Sequence, residues 1–128
     1  MIIYCLKKGE IMEAKEFDFE FPRGDTCPIS FDITDSSGNA LDLSSAEVYF
    51  TMKKSYATQN YILQKKKSTG GITFDDTKGT LVLEHNDTAE LNYGNYVYDI
   101  QIKSGNYVKT LALGTITLTN ESTWKANE

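Results

Sequence analysis

Apolar residues recur along this chain with a period of two, the spacing of a strand that buries one face and wets the other. Phe17, Phe19 and Phe21 alternate with Glu16, Asp18 and Glu20, which predicts a strand over 15–21 with an aromatic row on one face and an acidic row on the other. Pro22, Arg23, Gly24 and Asp25 interrupt it. Alternation resumes with Cys27, Ile29, Phe31 and Ile33, and Asp35-Ser36-Ser37-Gly38-Asn39 then reads as a turn. Leu41 and Leu43 lead into a further alternation, Ala46, Val48, Phe50 and Met52, which dissolves into the polar stretch 53–60. Another strand is expected over 61–65.

Composition marks two hairpins. Ile72 with Phe74, and Leu81 with Leu83, flank Asp75-Asp76-Thr77-Lys78-Gly79. Tyr96, Tyr98, Ile100 and Ile102 alternate with Val97, Asp99, Gln101 and Lys103 before Ser104-Gly105-Asn106 turns the chain into 107–118. In that last strand the apolar set passes from odd positions (Leu111, Leu113) to even ones (Ile116, Leu118) across Gly114, so a bulge is predicted at Gly114. Asp87-Thr88-Ala89-Glu90-Leu91 is expected to form one helical turn, with Asp87 as N-cap and Glu90 three residues later. The sum is an all-β chain of about eight strands, with turn signals spaced as in an antiparallel β-sandwich, and one short helical turn near 87–91.

Length fits that reading. A chain of 128 residues, 40% hydrophobic with only two Pro, makes one domain, 1–128, with its core over 15–123. Composition then narrows the chemistry. One His (His85), one Arg (Arg23) and two Cys (Cys5, Cys27) leave few groups for proton transfer, nucleophilic attack or zinc binding, so no enzymatic activity and no cofactor are expected. A net charge of -5 with acids spread along the chain argues against nucleic acid as a partner, the lysines at 53, 54 and 65–67 being read as a solvated strand end and loop. No apolar stretch approaches the roughly 18 residues of a membrane helix, and the N-terminal charges come after a very short apolar run, unlike a secretory signal. Cys5 and Cys27 read as free thiols of a reducing compartment.

Several constellations have a chemical and a plainer reading. Arg23-Gly24-Asp25 spells an integrin-type tripeptide, but turn chemistry explains Gly and Asp there. His85 beside Glu84 and Asp87 lacks the second cluster that a metal site needs. The row Glu16, Asp18, Glu20 and the pair Asp75-Asp76 have calcium-type oxygens, and exposed alternating carboxylates are ordinarily solvated. Abundant tyrosine (Tyr49, Tyr56, Tyr61, Tyr93, Tyr107) could stack on sugars, making a carbohydrate-binding module the alternative function, while β-propensity explains the same residues. Tyr96, entering a late strand after a turn and Gly94, has the layout of a tyrosine corner, whose hydroxyl bonds back to upstream backbone.

Taken in order, Phe-Pro-Arg-Gly-Asp-Thr (21–26), Phe-Asp-Ile-Thr-Asp-Ser-Ser-Gly-Asn-Ala-Leu-Asp-Leu-Ser (31–44), Gly-Gly-Ile-Thr-Phe-Asp (71–76), Asp-Thr-Ala-Glu-Leu-Asn-Tyr-Gly-Asn-Tyr-Val-Tyr-Asp-Ile-Gln (87–101) and Lys-Thr-Leu-Ala-Leu-Gly-Thr-Ile-Thr-Leu-Thr (109–119) resemble the immunoglobulin-like N-terminal domain of phage baseplate upper proteins. The resemblance spans about residues 15–123. It implies an immunoglobulin-like β-sandwich that serves as a structural or assembly domain of a tailed phage or prophage, at the tail tip or baseplate. It also implies a protein folded in the host cytoplasm and carried in the virion. Partners would be other phage structural proteins, with homo-oligomers such as trimers or hexamers expected from virion symmetry. In that resemblance Gly24 and Asp25 open a strand, Tyr96, Tyr98 and Asp99 lie in the signature strand, and no catalytic position carries over. The baseplate proteins continue into a long helical segment, which this sequence does not contain.

Overall fold

The computed structural model describes residues 2–4, 15–34, 43–76 and 78–120. The turn expected at 35–39, Leu41 and Cys5 lie outside these residues, as does Thr77 of the turn expected at 75–79. In chain order the elements are β1 (Ile2–Tyr4), β2 (Lys15–Glu16), β3 (Phe19–Pro22), β4 (Cys27–Thr34), β5 (Glu47–Lys53) and β6 (Leu63–Lys66). They continue with β7 (Thr73–Asp75), β8 (Lys78–Leu83), α1 (His85–Thr88), β9 (Gly94–Ser104) and β10 (Tyr107–Thr119). The fold is mostly β, with one short helical turn.

Two open sheets share these strands. A four-stranded sheet runs β1-β4-β8-β7, and a six-stranded sheet runs β2-β10-β9-β5-β6 with β3 also on β10. Their facing sides interlock. Ile29, Phe31 and Ile33 of β4 with Leu81 and Leu83 of β8 meet Val48, Phe50 and Met52 of β5, Tyr96, Tyr98, Ile100 and Ile102 of β9, and Ile116 and Leu118 of β10 in one buried cluster. Period-two patterning puts these residues inside, because each strand has only one side out of water.

Four sequence expectations change here. The ladders are not all antiparallel: β1 runs parallel to β4, and β2 and β3 run parallel to β10. Alternation shows which face is buried but carries no strand direction, and the short β1 segment has too few residues to show alternation at all. The single strand expected over 15–21 is two, broken at Phe17-Asp18. Helix α1 begins three residues early, with Glu84 as N-cap. Asp87 is its third residue rather than its cap: its carboxylate accepts the Glu84 amide at 2.7 Å and pairs with Lys65 at 2.8 Å. Finally, the β9–β10 register shifts between Thr110 and Ala112, not at Gly114. Leu111 and Ala112 are consecutive and both buried, the mark of an extra residue that returns the strand to its inward phase.

Candidate functional site

The break at Phe17-Asp18 organises the outer strands. Lys15 and Glu16 pair with Ala112 and Leu113, and Phe19 to Pro22 pair with Ile116 to Thr119, so the same register resumes after the break. Within it the Phe17 amide donates to the Leu113 carbonyl at 3.0 Å, and the Phe17 carbonyl turns in to accept the Tyr98 hydroxyl at 2.6 Å. Asp18 takes over the freed ladder position, its carboxylate accepting the Thr115 amide at 3.0 Å and the Thr115 hydroxyl at 2.8 Å. These two bonds hold the Asp18 carboxyl below its ordinary pKa. Burial pushes the Tyr98 hydroxyl well up, so it remains a donor to Phe17. Gly114, opposite Tyr98 on β10, is where the Phe17 carbonyl passes; a Cβ there would collide with that carbonyl oxygen.

Tyr56 closes the same spot from outside. It comes from the segment between β5 and β6, and its hydroxyl donates to the Gly114 carbonyl at 3.1 Å, with the Tyr98 carbonyl at 3.4 Å. The residue as a whole is 55% exposed. Beside it lies a small hollow of about 120 Å³ lined by Thr51, Lys53, Tyr56, Val97, Tyr98 and Asp99. Burial raises the Asp99 carboxyl above its ordinary value, and Lys53 partly offsets this.

Asp18 and Asp99 therefore act on stability in opposite senses. Asp18, with its folded pKa depressed, stabilises above the unfolded value and loses that contribution as pH falls through the folded one. Asp99, with its folded pKa raised, is favourable while protonated and loses that as pH rises through the folded value. Asp99→Asn is expected to raise the urea midpoint more at about pH 7 than at about pH 3.5. Equal shifts at both pH values would show that the Asp99 charge carries no such penalty.

Around this centre the outward side chains of the six-stranded sheet form rows. Lys66, Tyr49, Gln101 and Thr110 make one, and Gln64, Thr51, Asp99, Leu113 and Glu16 make the next. Lys53, Val97, Thr115 and Asp18 make a third. Gln64 donates to the Thr51 hydroxyl and Gln101 to the Thr110 hydroxyl, each at 3.1 Å, which fixes both amides across neighbouring strands. A shallow groove of about 310 Å³ runs over Tyr49, Thr51, Gln64, Gln101, Lys103 and Val108. This is a largely polar platform with two side-chain bonds crossing its strands.

Gly24 and Asp25 lie elsewhere, at the corner leading into β4, where Gly24 has φ +83°, a backbone region in which glycine is unstrained. The Gly24 amide donates to the buried Thr88 hydroxyl at 2.8 Å, and its carbonyl lies 2.6 Å from His85 Nδ1. A carbonyl can only accept, so Nδ1 carries the proton. The Asp25 amide donates to the Pro22 carbonyl at 3.1 Å, closing the turn. Arg23 lays its guanidinium 4.3 Å from the Tyr93 ring centre and donates to the Leu91 carbonyl at 3.0 Å. Arginine and glycine of the tripeptide are thus engaged with α1 and the residues just beyond it.

Tyr96 points inward nearby, and its hydroxyl donates to the Asn92 carbonyl at 2.8 Å, four residues upstream. Tyr96→Phe is expected to lower stability by about 1 kcal/mol. A thermal melt unchanged from wild type would show that this bond is replaced by water at no cost.

The structure brings Tyr98 and Gly114 together around the Phe17 carbonyl, places Asp99 on the opposite side of β9, sets Tyr96 two residues before Tyr98 on the same buried face, and keeps Gly24 and Asp25 at the corner leading into β4. Among the described residues, no group of three or more His, Cys, Asp or Glu side chains could hold a metal ion. Glu16, Asp18 and Glu20 line one border of the platform rather than converging on a point. The Phe17 carbonyl is absent from the sequence expectations, and Tyr56 figures there only among the tyrosines that could stack on sugars, not as a partner of Gly114. A backbone group leaves no trace in composition, and Tyr56 sits in a stretch without alternation.

No protein-family model matches this chain, and no curated protein matches it. Among solved structures, the chain is similar to the N-terminal domain of phage TP901-1 ORF48, with 10% sequence identity and a TM-score of 0.48. The match covers 93% of this chain and 95% of that one.

Proposed function

We propose that this chain is a non-enzymatic structural or assembly domain of a tailed phage or prophage particle, working by protein–protein contact at the tail tip or baseplate. The observation that carries this reading is how the polar groups are used. His85, Arg23, Tyr96 and Tyr98 are each engaged with a backbone carbonyl, while the outer face of the six-stranded sheet is a largely polar platform crossed by two side-chain bonds. Such a surface offers shape and fixed hydrogen-bonding groups rather than a reacting centre. The ordered set of sequence motifs between 15 and 123 supports the phage assignment.

An immunoglobulin-like identity of the fold belongs to the same proposal. The order β4-β8-β7 in one sheet and β10-β9-β5-β6 in the other supports this reading, being like B-E-D and G-F-C-C′, while β1 departs from it by running parallel to β4. The Tyr96 hydroxyl bond to upstream backbone supports reading it as a tyrosine corner. In this reading the protein folds in the host cytoplasm and ends in the virion, with phage structural proteins as partners.

Mass spectrometry of density-purified particles after prophage induction tests the assignment. Recovery in fixed stoichiometry with known tail proteins is the expected result. Particles that lack the chain entirely would overturn it as a virion component.

A further inference from the structure

Charge on the outer face of the six-stranded sheet is concentrated at its two sides, with Glu47 of β5 and Asp99 and Lys103 of β9 between or beside them. The β2–β3 border carries Glu16, Asp18 and Glu20, all exposed, while Lys53 and Lys66 stand on β5 and β6 at the other side. Among the described residues none of these five is held in an ion pair within 4 Å, whereas Lys65, on the inward side of β6, pairs with Asp87. Tyr56 lies over the seam between β9 and β10, its hydroxyl on one carbonyl from each strand and the residue as a whole half exposed.

From this arrangement we propose that the face docks a second copy of the chain about a two-fold axis that runs along the β9–β10 seam. Rotation about that axis exchanges the two sides of the sheet. It lays β5 of one copy over β2–β3 of its partner, with Lys53 level with Asp18 and Thr51 level with Glu16, and with Lys66 one strand and one row beyond Glu16. Asp99 then faces Leu113 rather than another carboxylate, and the two Tyr56 rings meet at the axis as the central aromatic contact. An axis parallel to the strands is also the aligned mode in which sheets pack face to face.

Pairing through the β6 edge is disfavoured by the chain itself. The amides of Gly71 and Ile72 both bond to the Lys66 carbonyl, occupying that edge, and lysines flank what is left. The face is also small. Five strands at about 4.8 Å spacing and about 27 Å of strand length give roughly 500 Å² per copy, short of the roughly 800 Å² per partner of a standard stable interface. The pairing is therefore weak in dilute solution and suited to sites where copies are held close together. It rests on the face alone and stands apart from the phage assignment.

A charge exchange tests it. In the paired arrangement Glu16→Lys places two like-charge contacts in its own dimer, as does Lys66→Glu, whereas a one-to-one mixture of the two variants restores opposite charges at both contacts. Sedimentation equilibrium of wild type up to about 1 mM protein at low salt is expected to show a reversible dimer weakened by added salt. Each variant alone is expected to associate at least about tenfold more weakly, and the mixture to recover to within about threefold of wild type. Circular dichroism melts of both variants confirm that they fold. A wild type that stays monomeric throughout overturns the proposal and leaves the face to a different protein, as does a dimer that both variants leave intact. Either result is independent of whether the chain is recovered from particles.

Discussion

Gly114→Ala is expected to lower the stability of this domain by about 3–5 kcal/mol, a large part of what a domain of this size possesses. The glycine is required by contact, not by its backbone angles: the Phe17 carbonyl oxygen occupies the place of its Cβ. That carbonyl cannot simply withdraw, because the Phe17 amide is tied to Leu113 and the adjoining Asp18 is tied to Thr115. A methyl group must therefore push β2–β3 away from β10, and with it the carbonyl that Tyr98 bonds. Urea denaturation reads this as a lower midpoint with an unchanged slope. A loss below about 1 kcal/mol would mean that the strand moves aside freely, and the close approach would then not explain the glycine.

The second large effect comes from the other side of the same bond. Tyr98→Phe removes the donor at 2.6 Å and leaves the inward-turned Phe17 carbonyl without it, at an expected cost of about 1–3 kcal/mol. The ring itself stays, stacked 5.5 Å from Phe50 and tilted against Phe19 at 5.5 Å, so packing changes little. Both substitutions act on one carbonyl, so their costs should not add. In the Gly114→Ala background Tyr98→Phe is expected to cost less than half of what it costs in wild type, measured as a double-mutant cycle by urea denaturation. Full additivity would separate the glycine from the tyrosine bond and dissolve the constellation.

How much of this is legible in the sequence depends on the kind of information each feature uses. The core is legible: Phe31, Phe50, Tyr98, Ile100 and Ile116 announce themselves by alternation, and all are buried. Turns are legible where Gly, Asn or Asp cluster, as at Gly105-Asn106 between β9 and β10. Strand direction is not, since a parallel and an antiparallel neighbour bury the same side of Phe19 and Phe21. The bulge lies upstream of Gly114, the flexible residue that suggests it, and its real signal is the adjacent pair Leu111 and Ala112, both apolar and both inside. The α1 boundary moves for a similar reason: Asp87 suits a cap and a third helical position equally, and Lys65, which it pairs with, is 22 residues away.

The platform is less legible still. Thr51, Gln64, Gln101 and Thr110 look like ordinary strand polar residues until the ladders set them side by side. Arg23-Gly24-Asp25 gives the opposite case, a legible motif whose first two residues serve the corner over α1 and Tyr93.

The parallel pairing of β3 with β10 also governs how the domain bears load. Force entering at Lys15 and leaving at Thr119 pulls those two strands lengthwise past one another, so the hydrogen bonds from Phe19 to Pro22 resist together instead of parting one after another. Tension applied instead across the open ends of the β9–β10 hairpin, at Gly94 and Leu118, would unzip its bonds in sequence. Single-molecule extension along the two directions should therefore give a higher rupture force for the first. By joining an early strand to its last one in this way, the domain acts as a stiff tie between whatever is attached at Lys15 and whatever is attached at Thr119.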